Sequence, residues 1–307
     1  MADLAAIHDR IRQSYTHEIE LLAGDARRDI GQLVPDAGNL DAYNHERMIR
    51  FIVSLIEKFG SGEWLTVGDN GDDAVMLRSA GVRQVTASSI STVFLQRLAE
   101  AGCLDRIPVR ELNAEKLDLP DGAVDVLVCK EAYHHFPRAP LAFYEFLRVS
   151  RRGVVLIEPL EGRGRPLDLL RAFAKMVLRR RSPAYEKFEP VGNFIYRVDV
   201  GEIRRMLTAL QVPWFAIQPF NNFMTRRLIG ASRRDPWAML LMKFGIAVQD
   251  LFSTLRLMSP GMAAIFVPTG AADEHTRDML EAEGFTIVET PRNPYRPDDV
   301  LKDFYAG

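Results

Sequence analysis

The sequence predicts an α/β protein built on a doubly wound, mostly parallel sheet, and three observations predict it. Short β-rich runs alternate with helical runs from residue 63 onward. The stretch "WLTVGDNGDDAVML" (64–77) reads as strand, glycine turn and helix. The residues that follow each of the first five strands are polar, as expected where an open sheet presents a ligand site at its carboxyl edge.

Taken in order, residues 3–24 and 42–59 carry apolar side chains at helical spacing, with Met48, Ile52, Leu55, Ile56 and Phe59 marking one face. An N-terminal helical segment (1–60) is therefore expected, ended by the glycines of "KFGSGEW". Five strands follow: "EWLTV" (63–67), "QVTAS" (84–88), "IPVREL" (107–112), "VDVLVC" (124–129) and "GVVLIE" (153–158). After "LIEPLEGRGRP" the strand rhythm stops, and "PLDLLRAFAKMVLRR" and "VGEIRRMLTALQ" predict an inserted helical cap over 160–259. "GMAAIFVP" (261–268) resumes the rhythm, and "TRDMLEAEGFTIVET" reads as helix, glycine turn and last strand. The expected core thus spans 61–159 and 260–307, with no internal repeat.

At 307 residues and 47% hydrophobic content, the chain is long enough for a sizeable core. A net charge of -2, from 39 basic and 41 acidic residues, gives no overall field that favours nucleic acid. Cys103 and Cys129 stand in no metal-ligand spacing, which argues against a disulfide framework or structural zinc and fits a cytoplasmic location. The N-terminus has no uninterrupted apolar core of the kind a signal peptide needs. "WAMLLMKFGIAVQDLF" is broken by Lys243 and Asp250, so no membrane span is expected there; it reads as a buried or interface helix, compatible with a homodimer.

The strand ends offer Gly68, Asp69, Asn70, Gly71, Asp72 and Asp73; Ser88, Ser89 and Ser91; Asn113, Ala114 and Glu115; Lys130, Glu131, Tyr133, His134 and His135; and Glu158. This ordered set resembles the class I S-adenosylmethionine-dependent methyltransferases, and within them the branch associated with bacterial surface-polysaccharide and sugar modification. The resemblance covers residues 60–160, and its most specific stretch is "NAEKLDLPDGAVDVLVCKEAYHHFPRAPLAFYEFLRVSRRGVVLIEP" (113–159). It implies a Rossmann-like, seven-stranded sheet whose final strand, 285–289, is antiparallel. It also implies S-adenosylmethionine as cofactor, with Gly68, Asp69, Asn70 and Gly71 at its methionine end, Ser88 or Ser89 at the ribose, Ala114 and Glu115 at the adenine, and Lys130 nearby.

Two positions depart from that family's pattern. The turn runs Gly68, Asp69, Asn70 where a second glycine is usual; asparagine tolerates left-handed backbone but brings a side chain toward the ligand. "TASSIS" puts serine where the family places a ribose-binding acid, and loss of a charged hydrogen bond weakens binding roughly tenfold or more.

His134 or His135 suits a general base near neutral pH, with Glu131 or Tyr133 to orient it. Tyr196, Arg197, Asn221 and Asn222 are expected to line an acceptor pocket, on the resemblance and on their place in the insertion. Asp69, Asp72 and Asp73 are carboxylates at a helix start, where the dipole favours them without a metal, and no metal is expected. The arginines at 179–181 suit either a solvated helix face or an anionic substrate group.

The expected function is methyl transfer to oxygen or nitrogen of a small sugar-like or secondary-metabolite acceptor. Two alternatives stay open: a methyltransferase-fold enzyme that has lost or replaced S-adenosylmethionine, and a non-catalytic partner subunit.

Overall fold

A computed structural model of the chain describes residues 5–6, 9–10, 13, 38–104, 106–162, 164–179, 187–188, 194–270 and 274–294. Five strands form the parallel part of the sheet: β1 (Glu63–Val67), β2 (Gln84–Ser89), β3 (Val109–Glu111), β4 (Val124–Lys130) and β5 (Ser150–Pro159). Three more, β6 (Trp214–Phe220), β7 (Met262–Pro268) and β8 (Thr286–Glu289), complete an eight-stranded sheet in the order β3-β2-β1-β4-β5-β7-β6-β8. β7 runs antiparallel to both β5 and β6, and β8 antiparallel to β6.

Alternation along the strands divides the core between two faces. Trp64, Val126, Val128, Val155 and Ile157 pack on one side, with the helices α1 (Leu40–Arg50), α2 (Val53–Phe59), α3 (Asp72–Ser79) and α4 (Val93–Glu100). Leu65, Val67, Leu127, Cys129, Val154 and Leu156 pack on the other, against Phe143 and Phe146 of α5 (Ala139–Val149). Both faces are thus covered, as a parallel sheet requires.

The expected helical cap is only partly helical. It contains α6 (Pro166–Arg179), α7 (Val200–Ala209), α8 (Arg226–Ile229) and α9 (Pro236–Thr254), but also β6, which lies inside the sheet. The sheet therefore has eight strands where the resemblance implies seven. β6 carries little sequence signal because "WFAIQPF" is a short apolar run broken by Gln218 and Pro219, and proline removes a ladder donor. Its partner β8 pairs only with Trp214 to Ile217, so Pro219 sits beyond that ladder and faces β7 alone. α10 (Glu274–Ala282) then leads to β8, the antiparallel edge strand expected near 285–289. Of the helical stretch expected at 3–24, most lies outside the described residues, as do the arginines at 180 and 181.

Candidate functional site

β1 ends in Gly68 at φ 73°, and a Cβ built there would stand 2.4 Å from the Cβ of Ala132, so only glycine fits between the first turn and the loop after β4. Beyond that contact a cleft opens at the carboxyl ends of β1, β2 and β4. It holds about 640 Å³ of empty space, its open mouth included. Val67, Gly68 and Asn70 form its floor, Ser89, Ile90, Leu112, Asn113, Ala114 and Glu115 one wall, and Glu131, His135, Phe136 and Pro137 the other. A larger hollow lies around Arg78, Arg83 and Arg106, but at the amino ends of the strands, away from the polar strand ends. Position relative to the strand ends, rather than size, identifies the cleft as the candidate site.

Several expected cofactor contacts face elsewhere. The Asp69 carboxylate is buried and accepts from the Thr66 hydroxyl (2.6 Å) and the backbone N–H groups of Gly71 (2.6 Å), Asp73 (3.3 Å) and Ala74 (3.0 Å). It caps α3, and burial raises its pKa. Gly71, at φ 101°, faces the α4 side chain of Leu98 rather than the cleft. Ser88 is fully buried and donates to the Thr66 carbonyl at 2.6 Å, which leaves Ser89 as the serine that reaches the cleft. Glu115 lines the cleft but is also clamped by Arg138, through its backbone N–H (2.7 Å) and guanidinium (2.7 and 2.6 Å).

Lys130 points away from the cleft, toward α1. Its ammonium lies 2.7 Å from Asp73 and 2.8 Å from His45 Nδ1. Burial works against its charge, but Asp73, Asp72 and Glu131 outweigh burial and hold its pKa above the ordinary lysine value. His45, Asp72 and Asp73 offer three ligand atoms within 4.8 Å of one another, and the Lys130 ammonium already supplies positive charge there. Glu131, at φ 51°, is a non-glycine residue in left-handed backbone at the cleft edge, held there by its N–H bond to Ile157 O (2.9 Å).

The loop after β4 forms a single 3₁₀ turn over Tyr133–His135, and Glu158, at the end of β5, organises it. This carboxylate is fully buried; Oε1 accepts from the N–H groups of Ala132 and Tyr133, both at 2.8 Å, and Oε2 lies 2.7 Å from His134 Nδ1. An Nδ1–H donated to Glu158 leaves His134 Nε2 as the basic nitrogen. The His135 ring, which lines the cleft, has its centroid 4.0 Å from that of His134.

Glu158, rather than Glu131 or Tyr133, is therefore the residue placed to orient His134. Tyr133 is 1% exposed, its hydroxyl has no hydrogen-bond partner among the described residues and burial raises its pKa, so it belongs to the core.

Of the expected acceptor residues, Tyr196 stands beside the dyad: its N–H donates to the His134 carbonyl (2.7 Å) and its hydroxyl to Glu202 (2.7 Å). Partial burial and Glu202 push its pKa up to about 12. Arg197 is exposed on the same segment. Asn221 is buried and lies at a joint between elements: it donates to Asp250 (2.9 Å) and Ser253 (3.0 Å) of α9 and accepts from Gly261 N–H (3.1 Å). It fastens α9 to the sheet and does not line the cleft. Asn222 is half-buried beside it, its side-chain oxygen without a hydrogen-bond partner among the described residues. Sequence reasoning gave no role to His45 or Arg138, because only the fold brings them to their partners at the strand ends.

Residues 65–157 match the family model described as a methyltransferase domain. Among solved structures, the chain is similar to the YcgJ protein of Bacillus subtilis, with TM-score 0.49 and 18% identity over 74% of this chain and 100% of that one. It is similar to magnesium protoporphyrin IX methyltransferase of Synechocystis, solved with S-adenosylhomocysteine, with TM-score 0.46 and 15% identity over 73% and 94%. It is also similar to a SAM-dependent methyltransferase of Archaeoglobus fulgidus, with TM-score 0.42 and 13% identity over 71% and 93%. No curated protein matches. At these values the structural likenesses carry no argument. The domain match supports an enzyme of the methyltransferase class with S-adenosylmethionine as cofactor.

Proposed function

We propose that this chain transfers a methyl group from S-adenosylmethionine to an oxygen or nitrogen of a small, sugar-like or secondary-metabolite acceptor, with His134 taking the acceptor's proton. The observation that carries this reading is the His134–Glu158 pair beside a glycine-floored cleft within the residues that match the methyltransferase domain.

The cleft fits the cofactor in its chemistry. Gly68 lets backbone approach a ligand closely, and Ile90, Leu112 and Ala114 give an apolar wall for a flat base. Ser89 is the residue that would meet a ribose hydroxyl, while Asn70 and Glu131 would face the methionine end. When bound, S-adenosylmethionine supplies an electrophilic methyl carbon on sulfur. His134, fixed by Glu158, would accept the proton released as the acceptor atom attacks, and the buried carboxylate would stabilise the resulting imidazolium. Tyr196, with its pKa near the upper end, stays a neutral phenol. Phe188 and Phe194 stand edge to face beside it, both exposed, and offer aromatic surface to a ring-shaped acceptor.

The test is transfer of label from S-adenosylmethionine into a panel of hydroxyl- and amine-bearing acceptors. The wild type is expected to label at least one, and His134→Gln to lower its kcat by about 10²- to 10⁴-fold while leaving cofactor affinity unchanged. A His134→Gln enzyme at full rate would remove His134 as base. Turnover of an acceptor without S-adenosylmethionine would favour different chemistry on this fold, and a chain active only in complex with another protein would favour the partner-subunit alternative.

A further inference from the structure

The face of α9 is the largest unexplained surface feature among the described residues. Although this helix is among the most apolar segments of the chain, only Met242 and Gly245 are buried, Gly245 closely against Phe223. On another edge Trp237 is 77% exposed and Phe244 64%, and Leu240, Leu241, Leu251 and Leu255 are each more than half exposed. Leu167, at the start of α6, donates to the carbonyl of Leu257 just past α9, and α6 adds Leu169, Leu170 and Phe173, all exposed.

Side chains of this size expose on the order of 100 Å² each at such fractions, so the patch reaches roughly 1,000 Å², beyond the few hundred typical of a monomer and near the ~800 Å² per partner of a stable complex. A patch of this size marks an interaction surface.

The spacing identifies its partner. Trp237, Leu241, Phe244, Val248, Leu251 and Leu255 follow one another at alternating steps of four and three, a two-helix seam. The steps read the same in reverse, so an antiparallel copy sets Trp237 against Leu255, Leu241 against Leu251 and Phe244 against Val248. An aromatic residue then meets a smaller aliphatic one in the Trp237–Leu255 and Phe244–Val248 layers and leucine meets leucine between them, and the flanking Leu240, Ala247 and Thr254 bring no charge to the seam. The only charged residues of α9, Lys243 and Asp250, lie farther round and cancel, so α9 itself brings no net charge to the seam. We propose that α9 pairs antiparallel with α9 of a second copy of this chain, forming a two-fold homodimer through a self-complementary face.

Sedimentation velocity of the full chain at micromolar concentration tests this. The wild type is expected to sediment as a dimer. Phe244→Glu with Leu251→Glu should weaken dimerisation at least about a hundredfold, since both residues sit at the seam, with an unchanged far-UV circular-dichroism spectrum because both are already exposed in the monomer. In a Cys103→Ser background, Trp237→Cys with Leu255→Cys should cross-link two chains on mild oxidation, and Trp237→Cys alone should not. A monomeric wild type overturns the proposal, whether it stays free or floats with phosphatidylglycerol vesicles. So does a dimer that survives the double glutamate variant, or equal cross-linking through Trp237→Cys alone.

Discussion

Tyr133 and His134 are neighbours in sequence with opposite surroundings. The histidine ring meets a buried carboxylate at 2.7 Å, whereas the tyrosine hydroxyl is buried with no partner among the described residues. Leaving a hydroxyl unpaired in an apolar setting costs free energy, so removing it should cost nothing. Tyr133→Phe is expected to match or exceed the wild type in thermal stability, within about 0.5 kcal/mol or above it, and to keep any transfer activity. A loss of about 2 kcal/mol or more in a urea melt, roughly the cost of a broken buried bond, would show that the hydroxyl has a partner after all. At this scale the sequence discloses residue types but not their pairings. His134 is legible as a base because histidine at a strand end suits that chemistry. Glu158 lies 24 residues further along the chain and reaches His134 only because β5 runs beside β4.

Among the elements, α1 is the one whose contribution sequence reasoning left open. It brings His45 to the strand ends, with Nδ1 3.1 Å from Asp72 of α3 and 2.8 Å from Lys130 at the end of β4. Burial and the Lys130 charge resist protonation of His45, but the hydrogen bond and charge of Asp72, with Glu131, outweigh them, so its pKa lies above the ordinary 6.5.

A histidine whose folded pKa is raised adds stability that is complete below its unfolded value and fades as pH rises through the folded one. The wild type should therefore lose more stability between pH 6 and pH 8 than His45→Gln, by on the order of 1 kcal/mol or less. Urea midpoints at the two pH values measure this directly, and an identical pH dependence in both proteins would contradict it. Strands β1 to β5 were legible because alternating runs and turn residues mark them. β6 was not, because its apolar run carries Gln218 and Pro219 and no glycine marks its start, whereas Gly153 and Gly261 mark the equally buried runs of β5 and β7.

For the molecule as a whole, one eight-stranded sheet joins the candidate cleft at its carboxyl edge to the apolar face of α9, fastened by Asn221. Among the described residues no helix is long and apolar enough to cross a membrane. The fold class was legible in the sequence because alternation constrains a whole chain. The cleft was legible as a strand-end region, but not in which side chains turn inward: Asp69, Ser88 and Lys130 sit at the expected places and are held by Gly71, Thr66 and Asp73 instead.

With asparagine in its turn and serine in place of an acid, the cleft is still expected to hold S-adenosylmethionine. Isothermal titration calorimetry of ligand-stripped protein with S-adenosylmethionine and S-adenosylhomocysteine, repeated on Ser89→Asp, tests it most directly. Binding at micromolar concentration, tightened roughly tenfold by the added carboxylate, is the predicted result. No binding up to millimolar ligand in the wild type, with binding restored only in Ser89→Asp, would contradict it and show that the cleft has given up this cofactor.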